Sequence, residues 1–302
     1  MRKYSLLAFG LFTFCNTQAQ YSKEFQKQYV TELSTDAMQG RKFGSAESKL
    51  AAELIAHKFK LNKLKPCVGD SFLIEFEHKG VKGQNVCGIK VGKSDDIYAF
   101  GAHYDHIGTN DSDADKVFNG ADDNASGTSA VMALSDFFKD KKVDQTLMFM
   151  AFDAEEIGLV GSKKLVENAD YQKYLPQMKL MLNLEMLGTV SAFGEGKVYM
   201  TGSDRSDLMA LMNKNSSQSF KVVDDPYLKQ QLFFRSDNVN FVNHKVVSHA
   251  LSTVNMENQH HYHQKNDEID VINIDNLSEI TQGIGNSVLE MMKKNEAPTY
   301  SK

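Results

Sequence analysis

The chain has 302 residues, 41% of them hydrophobic and 24% charged, which is enough apolar content for a large buried core and too evenly mixed for a disordered chain. Its formal net charge is −5 with the histidines neutral, and no basic patch with interleaved aromatics occurs, so a nucleic-acid partner is not expected. Beyond the N-terminus no apolar run is long enough to span a bilayer, so no membrane association is expected after processing.

In chain order, the N-terminus comes first. Arg2 and Lys3 precede an apolar stretch over 5–14, and Thr17-Gln18-Ala19 offers a small-x-small site. That layout predicts a secretory signal peptide over 1–19, with residues 20–302 forming a single secreted or periplasmic domain. Removing Arg2 and Lys3 takes the formal charge from −5 to −7. Cys67 and Cys87 then remain, either as a disulfide or as two buried thiols, and spacing alone does not decide between them. No CxxC occurs, which excludes a thiolate zinc site.

Helical spacing covers 23–33, and again 46–61 after the turn GRKFGS, with Ser45 placed to cap the second helix. Short strands at 72–76 and 86–91 flank the turn-like HKGVKGQ. Strand and helix then alternate: strands at 96–103, 145–153, 179–185, 197–201 and 246–251, helices at 125–138, 161–168, 204–217 and 274–292. Such alternation predicts an α/β fold, a three-layer α/β/α sandwich around a mixed, mostly parallel sheet.

Each apolar strand delivers polar groups at its C-terminal end. The strand over 96–103 ends in His103-Tyr-Asp105-His106, that over 145–153 runs into Glu155-Glu156, and that over 179–185 ends in Glu185. Parallel strands bring these ends to one edge, where ligands bind. NGADDNASG adds Asp122 and Asp123 just before a helix. Two like charges ~4 Å apart at an effective dielectric near 20 repel by about 4 kcal/mol, so the carboxylates either take up protons or surround cations. Imidazole and carboxylate donors together suit zinc, and a pair of zinc ions sharing one carboxylate would neutralise the set best. One glutamate of the doublet can then bind metal while its neighbour, held just off it, takes the proton of a bound water.

GAHYDHIG, NGADDNASG, FDAEEIGLVGS, LNLEMLG and YHQKNDEID stand in the order and spacing of the two-zinc bacterial aminopeptidases, a family that also includes glutamate carboxypeptidase and the glutaminyl cyclases. The resemblance spans roughly residues 40–280 and extends to GRKFGS and RSDNVNF. It implies that His103 and Glu185 hold one zinc, Glu156 and His263 the other, and that Asp122 bridges them across a cis Asp122–Asp123 peptide. Glu155 would be the general base and Asp105 the group orienting His103. It further implies peptide substrates with a free N-terminus, with a one-zinc glutaminyl cyclase or a non-catalytic binding protein as the alternatives. Two positions depart from the family pattern: Glu185 stands where aspartate is usual, and Asn238 where RSDH has histidine. Phe233 stands near the place of a tyrosine that polarises the scissile carbonyl in some members, and Arg235 is a candidate anion contact. NDSDADK mimics a calcium loop but has Lys116 where such loops have glycine, and Ser126 lacks the G-x-S-x-G elbow.

Overall fold

The computed structural model describes residues 23–110, 115–258 and 260–301. The signal-peptide segment and most of NDSDADK lie outside them. In chain order the elements are α1 (Lys23–Leu33), α2 (Ala46–Leu61), β1 (Lys65–Pro66), β2 (Leu73–His78), β3 (Val81–Lys90), β4 (Ile97–His103), β5 (Gly108–Thr109), β6 (Val117–Phe118), α3 (Gly127–Phe138), β7 (Thr146–Phe152), α4 (Val160–Glu167), β8 (Met178–Leu184), β9 (Lys197–Met200), α5 (Leu208–Lys214), β10 (Lys221–Asp224), α6 (Asn238–Val242), β11 (Ser248–Ser252) and α7 (Ile274–Lys293).

The main sheet has nine strands in the order β1-β3-β7-β4-β8-β11-β9-β10, with β2 also on β3. Its centre, β7-β4-β8-β11, is parallel, and the outer pairings β2–β3, β1–β3, β3–β7 and β9–β11 are antiparallel. The sheet is therefore mixed, with its parallel part where the predicted strand–helix alternation is densest.

Alternation along the central strands sorts side chains between two cores. Tyr98, Phe100, Leu147, Phe149, Leu180 and Leu182 face α1, α2, α3 and α7. Ile97, Ala99, Met148, Met150 and Met181 share the opposite core with Leu165 of α4 and Phe241 of α6. Both faces are covered, which is why these strands read as unbroken apolar runs. Ser45 caps α2, its hydroxyl accepting the Ser48 N–H at 3.0 Å, and Asn273 caps α7 by accepting from Asn276 N at 3.0 Å. Cys67 and Cys87 form a disulfide with Cα atoms 5.5 Å apart, continuing the β1–β3 register by one residue pair. No helix among the described residues is long and apolar enough to cross a membrane.

Candidate metal centre and active site

Because β7, β4 and β8 are neighbours and parallel, His103, the Glu155–Glu156 doublet and Glu185 emerge at one edge. The chain leaves β7 and β8 irregularly. Ala154 (φ 57°), Met186 (φ 46°) and His263 itself (φ 54°) all sit in the left-handed region, which non-glycine residues seldom occupy. The doublet is pinned by Asp105, whose fully buried carboxylate accepts the Glu155 N–H at 3.0 Å and the Glu156 N–H at 3.3 Å. That removes both residues from strand geometry and lets two adjacent side chains serve one site. The orientation of His103 comes from the same residue: His103 Nδ1 lies 3.1 Å from the Asp105 carbonyl oxygen and 3.6 Å from its carboxylate.

Of the two adjacent aspartates, Asp123 enters the cluster and Asp122 does not. Asp122 uses Oδ1 to accept from Gly188 N at 2.7 Å, and its Oδ2 lies 3.0 Å from His261 Nε2. Asp123 lies between two histidines, with Oδ1 3.4 Å from His103 Nε2 and Oδ2 3.2 Å from His263 Nε2. The expectation of a shared Asp122 is thus displaced by one residue, and the cis peptide shifts with it, to Asp123–Asn124. The cause is the backbone path. Asp267 accepts the N–H groups of Asp122 at 2.8 Å and Asp123 at 2.9 Å, and Asn124 is tied to Leu184 O and Met186 N on the β8 exit. Only Asp123 then projects into the space between β4 and β8. Gly120 permits this approach: a Cβ there would lie 2.3 Å from Asp123 O and 2.6 Å from the His106 ring.

Two groups of donors have all their candidate ligand atoms within 4.8 Å of one another and share Asp123: His103, Asp123 and Glu185, and His106, Asp123, Glu156 and His263. His106 was quoted in the sequence motif but not assigned, and the second histidine of HYDH was its signal. It is buried, with Nδ1 2.9 Å from Glu156 Oε1 and Nε2 without a hydrogen-bond partner. Glu156 Oε2 is 3.0 Å from His263 Nε2, and Glu185 Oε1 is 3.1 Å from His103 Nε2.

The charges behave as a cation-requiring set. Burial pushes the Glu155 carboxyl well above its ordinary value, with Glu185, Asp237 and Glu156 adding to the effect against His103. Burial works against a proton on His263, yet the neighbouring Asp123 and Glu156 carboxylates outweigh it and lift the imidazole to about 10. The donor chemistry fits zinc: imidazoles and carboxylates in two adjoining groups, with Asp123 Oδ2 buried and lacking a hydrogen bond of good geometry.

A family model for Peptidase family M28 matches residues 85–288, which contain every one of these side chains. The chain belongs to that family. Aminopeptidase YwaD of Bacillus subtilis (strain 168) is 37% identical over 109 residues, 35% of this chain and 22% of the relative. The chain thus aligns with about a fifth of the length of that relative. The zinc aminopeptidase BSAP from Bacillus subtilis superposes with a TM-score of 0.71 at 18% identity, covering 92% of this chain and 97% of that one. A Bacteroides thetaiotaomicron glutaminyl cyclase superposes with a TM-score of 0.67 at 17% identity, covering 90% and 98%. At these identities the superpositions establish the shared fold.

Against the usual M28 pattern, the two departures acquire structural roles. The longer Glu185 side chain is clamped through Oε2, which accepts from Ser236 Oγ at 2.5 Å and Asn183 Nδ2 at 3.2 Å, leaving Oε1 toward His103. Asn238 is buried and donates to Phe233 O at 3.0 Å, closing its own turn. Phe233 packs on His249 and under Arg205, not along the pocket wall. The aromatic side chains beside the M28 cluster are Tyr199 and Tyr262, the latter stacked on His263 at 3.9 Å between ring centroids. Arg41 of GRKFGS is fully buried behind the site and donates to four carbonyl oxygens, of Leu33, Tyr104, Asn119 and Gly120, at 2.5–2.9 Å. Burial lowers its pKa to about 10 against the pull of Asp267 and Asp123, so it stays charged at neutral pH and fixes the loops that carry Asp105 and Asp123.

Proposed function

We propose that this M28 chain is an exported aminopeptidase whose two donor groups, which share Asp123, would each hold a zinc ion. His103 and Glu185 would complete one site, and Glu156 and His263 the other, with His106 beside the second. Zinc bound there supplies a Lewis acid that makes water a nucleophile near neutral pH and takes up developing negative charge. Glu155 is the general base. It accepts the water proton and returns it to the leaving amine, and the Asp105 carboxylate keeps its backbone in place for both transfers. The remaining carboxylates attract the N-terminal ammonium of the substrate. Export is supported by the N-terminal charge–apolar–small pattern and by the Cys67–Cys87 disulfide, which suits an oxidising compartment.

The observation carrying this reading is the pairing within one doublet: Glu156 belongs to a donor group that contains Asp123, while Glu155, one residue away, meets only His103 and Glu156 among the candidate donors and has its carboxyl pushed above the ordinary value. Hydrolysis of a panel of short peptides, each with free and acetylated N-terminus, tests it. Cleavage of the first bond of the free peptides alone is expected. Cleavage of the blocked peptides, or ammonia release from glutamine-initiated peptides with no hydrolysis, would overturn it.

A further inference from the structure

Resting on the peptidase reading, we propose that Arg235 forms a carboxylate subsite that favours short peptides. Beside the cluster lies a pocket with an apolar wall that includes Leu232, Val254 and Met256, and among its described lining residues Arg235 is the only lysine or arginine. The backbone of Arg235 is held by a hydrogen bond from its N–H to Leu232 O at 3.0 Å, while its side chain is exposed. The guanidinium makes no ion pair with any carboxylate among the described residues, although the pocket also contains Asp123, Glu155, Glu156 and Glu185. Among the described residues its side-chain hydrogen bond is a long one, Nη2 donating to Tyr262 Oη at 3.5 Å. Tyr262 in turn stacks on His263, whose Nε2 faces Glu156. The Tyr262 ring therefore separates the cation from His263.

Charge then orients the substrate. An N-terminal ammonium is drawn to the carboxylates and repelled by Arg235, so the peptide enters with its anionic end toward the guanidinium. A guanidinium grips a carboxylate through two parallel N–H···O bonds. Peptide units advance by roughly 3.5 Å each, which brings a carboxylate one or two residues beyond the scissile bond within about a ring's length of it. That carboxylate is the C-terminus of a dipeptide or tripeptide, or an acidic side chain at the same distance.

Steady-state kinetics on Leu-Gly, Leu-Gly-Gly, Leu-Gly-amide and Leu-Glu-amide, with wild type, R235K and R235Q, test the proposal. The wild type is expected to prefer carboxylate-bearing peptides over Leu-Gly-amide by about tenfold or more in kcat/KM, the equivalent of one charge-assisted hydrogen bond. R235Q should erase that preference through KM, and R235K should keep part of it. Loss on Leu-Gly or Leu-Gly-Gly identifies the C-terminus as the anion, and loss on Leu-Glu-amide identifies the side chain. An equal fall on all four substrates, or a wild type indifferent to the carboxylate, would overturn the subsite while leaving the peptidase reading intact. Absence of hydrolysis of all four would overturn both.

Discussion

At the residue scale the site is built on Asp105 as much as on any candidate ligand. Its two oxygens fix the Glu155 and Glu156 amides and its carbonyl orients His103, so one buried residue sets three functional groups. The division of labour in the doublet follows. Glu155→Gln removes the proton acceptor but keeps the side-chain shape and all the candidate metal donors of the Asp123-sharing groups. The zinc content should match wild type while kcat falls by roughly 10²–10⁴-fold, as measured by metal analysis and steady-state kinetics on one preparation. Loss of metal with loss of turnover would instead make Glu155 a ligand. The residue scale is also where sequence reading reached its limit. The convergence of His103, Glu156, Glu185 and His263 was legible because each closes an apolar strand or a recognisable loop. Choosing between Asp122 and Asp123 was not, because adjacent aspartates look alike until Asp267 and Asn124 fix the direction of the backbone between them.

At the scale of elements, the long strands and the helices were readable from pattern: unbroken apolar runs on β4 and β7, helical spacing on α2, and Ser45 at the start of α2. The elements that pattern missed are short. β1 has two residues, β10 four and α6 five, too few for any period to register, and they form only because neighbouring strands and helices complete their hydrogen bonds and burial. The Cys67–Cys87 bond compensates for the shortness of β1 by tying its end to β3. Closing a loop of about 20 residues stabilises by about 3 kcal/mol in the chain-entropy account. The double variant Cys67→Ala/Cys87→Ala should lose about that much in urea unfolding, with zinc content unchanged, because neither cysteine approaches the cluster. An unchanged unfolding midpoint would show the bridge to be absent from the native protein.

At the scale of the whole molecule, the fold gathers at one sheet edge carboxylates that the sequence scatters from Asp105 to Asp267. Arg41 and His263 offset part of that charge. Under the proposed function, two zinc ions held by the donor groups that share Asp123 would complete the compensation, and this proposal is the one on which the mechanism rests. Anomalous diffraction at the zinc edge, on crystals of the wild type and of Asp123→Asn grown with zinc, tests it most directly. The account predicts two zinc peaks flanking the Asp123 carboxylate in the wild type and loss of at least one in the variant. A single peak in the wild type, or two peaks sharing Asp122, would contradict it.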